Sequence, residues 1–416
     1  MRTHAHAHPV SHRLWGRMVR TWAAGGILGL AGLGASLAWA SPHQPLSDND
    51  ILETLPQQSA SRAEARRLRQ QLARQPQDAA TAVALARAYL DQAHQEGDAR
   101  LAGLGLGALS AWQNLRPESG QVPTEVLVTH GTIAQYLHDF DGAARRLQQA
   151  LKQDPRHAQA WITLATVRRV QGRYAESSQA CEGLKAAGNT VYAAACLAEN
   201  QSLRGQQASA RQTLQGLLKQ AEAQGAQGSG LRQWLWTTLA ELEERAGQPQ
   251  AAEAAWQQAL AEGREGYVLS AWADFLLHQQ RPREVLALLA SRADATRSDA
   301  LLLRLAVAAT QAADPRAAGW RGLLQSRFEA SAARPEASRV HAREQARFAL
   351  TVRQSPTEAL ALAQANLQTQ REPADLLLMA EVARAQPNTA TRQQALQNLQ
   401  TLSRQLGVHD ARLALP

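Results

Sequence analysis

Small groups of apolar residues recur at helical spacing along most of the chain. The stretch from Pro155 to Leu184 shows the layout most clearly. Trp161, Leu164 and Ala165 form one apolar stripe, and Ser177, Cys181 and Leu184 form a second of small and apolar residues. Steps of three and four residues put side chains on one helix face, so the pattern predicts two amphipathic helices. Gly172-Arg173 is the turn between them, since glycine enters left-handed turn conformations without steric cost. The apolar residues are mainly Ala and Leu, with few aromatic or β-branched side chains, which favours helix over strand.

The layout returns on both sides of this stretch. A first pair carries Val83, Leu85, Ala86 and Tyr89 and ends near Trp112 and Pro117; it is longer than the others by about seven residues, placed around Asp91 to Asp98. Leu127, Gly131, Ala134, Ala143, Leu147, Ala150 and Pro155 mark the second pair. Leu197, Gly205, Ala210 and Leu214 mark the fourth, and Trp236, Leu239, Ala240, Gly247, Ala252 and Trp256 the fifth. The sixth has Leu269, Trp272, Ala273 and Leu289. The seventh, from Ser298, is more degenerate, with Leu302, Leu305, Ala306 and Ala318. An eighth follows from His341, and a ninth has Leu376, Met379, Ala380, Leu396 and Leu399. Ser61 to Arg74 predicts a basic helix whose Ala65, Leu68 and Leu72 pack on the first pair. Gln220 to Gly230 reads as a flexible loop.

A large apolar residue at position 4, Leu-small at 7 and 8, Gly at 15, small at 20, apolar at 24 and Pro at 32 resemble a tetratricopeptide repeat. Trp112, Arg100 after Gly97-Asp98, and His341 to Phe348 resemble exported bacterial members of that family, a likeness that carries no known activity. The resemblance implies an all-α, right-handed superhelical solenoid of about nine helix pairs with a concave groove. The expected layout is a signal peptide over 1–40, a linker over 41–60 and a helix over 61–75. Pairs one to four follow over 76–221, pairs five to nine over 231–405, and a tail over 406–416.

The N-terminal forty residues read as a targeting segment. Arg2, Arg13, Arg17 and Arg20 precede the apolar run Thr21 to Leu37, and Ala38-Trp39-Ala40 is a small-x-small cleavage signal. Cleavage after Ala40 would leave a periplasmic or secreted protein with no stable membrane insertion. The alternative is an anchor retained uncleaved, since the run approaches the roughly 20 residues that span a bilayer. Removal of those four arginines lowers the formal charge from +8 to +4. That excess is too small to argue for nucleic acid. In an oxidising compartment the only two cysteines, Cys181 and Cys196, are expected to pair, on the second helix of one repeat and the first helix of the next.

In the register of the resembled family, positions 2, 5, 9, 12 and 13 of each first helix line the groove. Carried over, they are Glu125, Thr132, Gln135 and Tyr136 in the second pair, Thr166 and Arg169 in the third, and Tyr192 and Glu199 in the fourth. Trp234, Thr237, Glu241 and Glu244 follow in the fifth, and Tyr267, Asp274 and His278 in the sixth. Tyr192, Trp234 and Tyr267 recur near the starts of successive helices. Aromatics beside carboxylates suit a peptide or glycan with some positive charge; the competing reading is that Trp234 and Tyr267 pack against neighbouring repeats.

No catalytic constellation is found: there is no G-x-S-x-G, and Glu241 with Glu244 is a pair that any helical groove supplies by chance. Gly103, Gly105 and Gly107 lack the strand and the full fingerprint of a phosphate loop, and point to close helix packing. His94, Glu96 and Asp98, and His341 with Glu344, lack metal-motif spacing. No cofactor is expected. The function expected is an exported scaffold that binds a protein or peptide in a cell-envelope process. The alternatives are an accessory protein for substrate or metal handling, and a regulatory subunit of an envelope enzyme complex. Trp161 and Trp256 are expected in the core.

Overall fold

The computed structural model describes residues 60–112, 122–223, 225–264, 266–332 and 342–414. The expected signal peptide, most of the linker and His341 lie outside these residues. The described residues hold nineteen α-helices and three short 3-10 turns, with no strand. A single helix α1 (Ala60–Arg74) precedes nine helix pairs: α2 (Ala79–Glu96) and α3 (Ala99–Ala108); α4 (Thr124–Tyr136) and α5 (Phe140–Gln153); α6 (Ala158–Val170) and α7 (Tyr174–Ala186). Next come α8 (Thr190–Leu203) and α9 (Gln207–Glu222); α10 (Ser229–Arg245) and α11 (Pro249–Glu262); α12 (Gly266–His278) and α13 (Pro282–Leu289). The last are α14 (Asp299–Gln311) and α15 (Ala317–Ala332); α16 (Ala342–Thr351) and α17 (Pro356–Asn366); α18 (Pro373–Arg384) and α19 (Thr389–Leu406).

The apolar stripes explain the stacking. First helices of successive pairs touch one another, as α2 with α4, α4 with α6, α6 with α8 and α8 with α10, which puts them on the inner side of the stack. Each second helix closes over its own first helix. Position 8 must be small there: a Cβ on Gly131 would come 2.8 Å from Leu147 Cγ. Ala65 and Leu68 of α1 are buried with Leu85 and Tyr89, as their spacing predicts. The excess in the first pair lengthens α2, which runs to Glu96, so that Gly97 (φ 66°) and Asp98, the N-cap of α3, form the whole turn. Gly105 is the packing glycine of its trio, since a Cβ there would come 3.1 Å from both Ala86 O and Ile133 Cδ1; Gly103 and Gly107 face open space.

In pairs two to eight position 15 adopts the left-handed conformation whether or not it is glycine. Gly172 has φ 74°, and the corresponding His138, Gln280, Ala313 and Gln354 have φ 60°, 58°, 53° and 52°. The turn is therefore imposed by the packing of the two helices, at a cost of about 1–2 kcal/mol wherever a Cβ is present.

Two further expectations need correction. Gln220 to Gly230 is largely helical: α9 continues to Glu222, a 3-10 turn covers Gly225–Gly228, and α10 starts at Ser229. Arg232 fixes this segment by donating to Gly225 O and to both oxygens of Glu262. Trp161 is only half-buried, with its ring over Gly183 and its indole N–H on Pro155 O at 2.8 Å, whereas Trp256 is fully buried.

The stack also closes on itself. The backbone N–H of Arg371, just before α18, donates to Val170 O at the end of α6 (2.7 Å), and Tyr174 donates its hydroxyl to Arg371 O (3.2 Å). Gln370 Nε2 lies 3.2 Å from His138 Nδ1. Further along, the N–H of His409 donates to Leu203 O (2.8 Å), and its ring covers Gly205. Leu406 abuts Gly172, and Ser298 abuts Gly97. The turns of the first five pairs thus seat the ninth pair, the start of the seventh and the tail.

Candidate functional site

The first helices of pairs four to six carry an aromatic residue at position 2 and a carboxylate two helical turns later: Tyr192 and Glu199, Trp234 and Glu241, Tyr267 and Asp274. The rings of Tyr192 and Trp234 stack with centroids 5.8 Å apart and planes inclined by 21°. Trp234 also packs on the core, while Tyr192 is 42 % and Tyr267 64 % exposed. Two of the three aromatics therefore show much of their surface to solvent beside a folded core.

The carboxylates lie deeper. Glu199 takes Arg169 Nε on Oε1 (3.0 Å), and its Oε2 is buried with no partner. Glu241 accepts the hydroxyl of Tyr267 at 2.5 Å, with Arg245 Nη1 at 3.9 Å. Burial pushes the Glu241 carboxyl up to about 7; Arg245 opposes this, and Glu199 adds to it. The phenol of Tyr267 is raised by Glu241 first, with Glu372 and Glu199 adding to it. Thr237 is buried on the face of α10 that carries Trp234 and Glu241, and its hydroxyl has no partner.

The opposite wall comes from the closing repeats. Arg343 of α16 binds Asp375 Oδ1 (2.5 Å), Glu372 Oε2 (2.6 Å) and Gln370 Oε1 (3.1 Å), which holds the turn before α18 against α6. Glu381 accepts from Arg347 and lies 3.2 Å from His278 Nε2. Burial raises the Glu381 carboxyl, but Arg347 and His278 together hold it at about 2. Asp274 is clamped by Arg304 at 2.5 and 2.9 Å. Glu244 takes the indole N–H of Trp256 (2.8 Å) and Arg412 (2.7 Å), and burial raises its carboxyl. Arg343 and Arg347 thus pair across repeats, from α16 to the turn before α18 and to α18 itself.

The residues expected from pairs two and three do not join this group, apart from Arg169. Glu125 is exposed and binds Arg87 (2.5 Å) and His157 (2.9 Å). Thr132 and Thr166 donate to Val128 O and Ile162 O of their own helices. Gln135 is half-buried. Tyr136 donates to Ala93 O and meets His94 edge-on, and burial lifts its phenol to about 12. Glu96 binds Arg62, and Asp98 caps α3 and binds Arg100. Among the described residues no three His, Cys, Asp or Glu side chains converge as a metal would require. Cys181 of α7 and Cys196 of α8 are joined by a disulfide.

The residues not anticipated are Arg245, Arg304, Arg343, Glu372, Asp375, Glu381 and Arg412. Arg245 sits at position 13 of a register already legible in the fifth pair. Glu381 sits at position 9 once Leu376 and Met379-Ala380 set the register of the ninth. Nothing in a repeat register points to the others.

Residues 128–191, from α4 to the start of α8, match the family model described as tetratricopeptide repeat. A tetratricopeptide repeat protein from Parabacteroides merdae aligns with 63 % of this chain and 90 % of its own, at 13 % identity and a TM-score of 0.42. The Cut9–Hcn1 hetero-tetramer of the APC/C is similar over 80 % of this chain and 52 % of that one, at 14 % identity and a TM-score of 0.38. Yeast Tom70 covers 77 % of this chain and 85 % of its own, at 12 % identity and a TM-score of 0.23. No curated protein sequence matches the chain.

Proposed function

We propose that this chain is an exported protein-interaction scaffold that holds a peptide segment of an envelope partner along Tyr192, Trp234 and Tyr267. One observation carries the reading: the rings of Tyr192 and Trp234 stack between successive first helices, Tyr267 of the next first helix reaches Glu241 of α10, and Tyr192 and Tyr267 are exposed although the helices beneath them are packed. Rigid, pre-placed aromatic rings are the side chains that anchor partners at low entropic cost. The stacked helices fix the positions of the rings before any partner arrives, so the mechanism is presentation and needs no catalytic residue. Export is supported by the A-x-A signal before Ser41, and the Cys181–Cys196 bridge is chemistry suited to an oxidising compartment.

The test is affinity capture of the tagged chain from its own envelope fraction, beside the triple variant Tyr192→Ala, Trp234→Ala, Tyr267→Ala. A partner held by the parent and lost by the variant supports the reading. A partner retained by a folded triple variant removes the aromatic row from the function. N-terminal sequencing of the fractionated protein tests export, with Ser41 expected as the first residue.

A further inference from the structure

We infer that the aromatic row selects a partner segment carrying an arginine or lysine beside an apolar residue, with the cationic head seated at Glu199 and Glu241. This rests on the aromatic row being the binding surface and names the chemistry it takes.

The chain leaves two carboxylates only partly matched at this point. Glu199 spends one oxygen on Arg169 and buries the other without a partner. Glu241 has a phenol as its close partner; Arg245 is 3.9 Å away and already donates to Ser202 at 2.8 Å, and Arg412, which also acts on Glu241, is bound to Glu244 and Asp410. Arg343 of the opposite wall is committed to Asp375, Glu372 and Gln370. A buried acceptor without a donor is costly, and a charged donor from outside would recover that cost. The Thr237 hydroxyl, on the helix face that carries Trp234 and Glu241, is a second buried polar atom without a partner.

The surroundings select the kind of cation. A hard divalent ion needs about six oxygen ligands, and no such grouping is found among the described residues. A lysine or arginine needs one or two acceptors and gains from aromatic faces along its stem, which Tyr192, Trp234 and Tyr267 provide. An acidic segment would meet Glu199, Glu241 and Glu372 together.

The groups that face Glu241 are Glu199 from α8, Glu244 and Arg245 from its own helix, Tyr267 from α12, Glu372 beside Tyr267 from the turn before α18, and Arg412 of the tail near Glu244. Glu241, with its carboxyl raised to about 7, changes charge near neutrality. Affinity for a cationic segment should therefore rise between pH 6 and pH 8.

The test is panning of a random dodecapeptide display library on the full chain at pH 8, followed by synthesis of the enriched peptides. Three proteins are compared: the parent, the aromatic triple variant, and the isosteric double variant Glu199→Gln, Glu241→Gln, each checked for an unchanged circular dichroism spectrum. The expected result is enrichment of Arg or Lys next to an apolar residue. Affinity should be lost in the triple variant, and should fall about tenfold or more in the double variant or when the cationic residue is replaced by citrulline or norleucine. Peptides lost in the triple variant but indifferent to the double variant would overturn the cation inference and leave the aromatic row standing. Peptides indifferent to the triple variant, or no enrichment, would overturn both.

Discussion

The guanidinium of Arg412 lies 2.7 Å from the carboxylate of Glu244, and so joins the tail to the fifth helix pair across 168 residues. Asp410 holds the same guanidinium in place at 2.7 Å, and the neighbouring His409 N–H is on Leu203 O. Arg412→Ala should release the tail and leave Glu244 short of one donor, a loss of about 1–3 kcal/mol. Hydrogen exchange checks this directly: the His409 amide should be protected in the parent and exchange much faster in the variant, with amides of α2 unchanged.

Glu241 should make the fold weaker in alkaline solution. Its folded carboxyl is raised to about 7 from an unfolded value near 4.5. Stability from a raised carboxyl is fully present below the unfolded value and is lost as pH rises through the folded one. Glu241→Gln removes that loss. Denaturant titration should show the variant more stable than the parent at pH 8, by about 1–2 kcal/mol after solvent screening, with the difference gone below pH 4.5.

Position 15 offers a stabilising change. Ala313 has φ 53° with a Cβ that its turn does not require. Ala313→Gly relieves the left-handed strain but also frees the unfolded chain, so the net gain should be about 0.5–1 kcal/mol. A calorimetric melting temperature at or below that of the parent would contradict the account of these turns.

The two tryptophans should separate. Trp256 is fully buried and donates to Glu244, so Trp256→Ala should cost about 3–5 kcal/mol. Trp161 is half-buried over Gly183 and should cost about 1–2 kcal/mol. Equal losses in chemical denaturation would rule out this difference in burial.

The Cys181–Cys196 bridge closes a segment with a sequence separation of 15. Reduction should lower stability by about 3 kcal/mol through the freedom returned to the unfolded chain. Unfolding midpoints with and without reductant measure it, with Cys181→Ser, Cys196→Ser as a control that no longer responds.

The helix pairs were legible because each repeats one register. Leu-Ala at positions 7 and 8 and the small residue at 20 are demanded by close packing, so they recur wherever the packing does. The row at Tyr192, Trp234 and Tyr267 and the acids at position 9 came from the same register. Its limits are equally physical. Burial depends on what lies above a residue as well as on its helix face, so Trp161 and Gly103 read as packed while solvent reaches them. The bonds of Val170 to Arg371 and Leu203 to His409 use backbone groups, which every residue carries, and leave no trace in side-chain identity.

A chain of modules that touch only their neighbours can gain or lose one with little consequence elsewhere. That freedom is closed here. The carbonyls of Val170 and Leu203 meet donors about 200 residues away, so the helices between act as a spacer of fixed length. Deleting one pair between α7 and α18 would shift Arg371 and His409 off their acceptors, even with every remaining neighbour contact intact. Module number is thus as much a part of this protein's specification as any side chain.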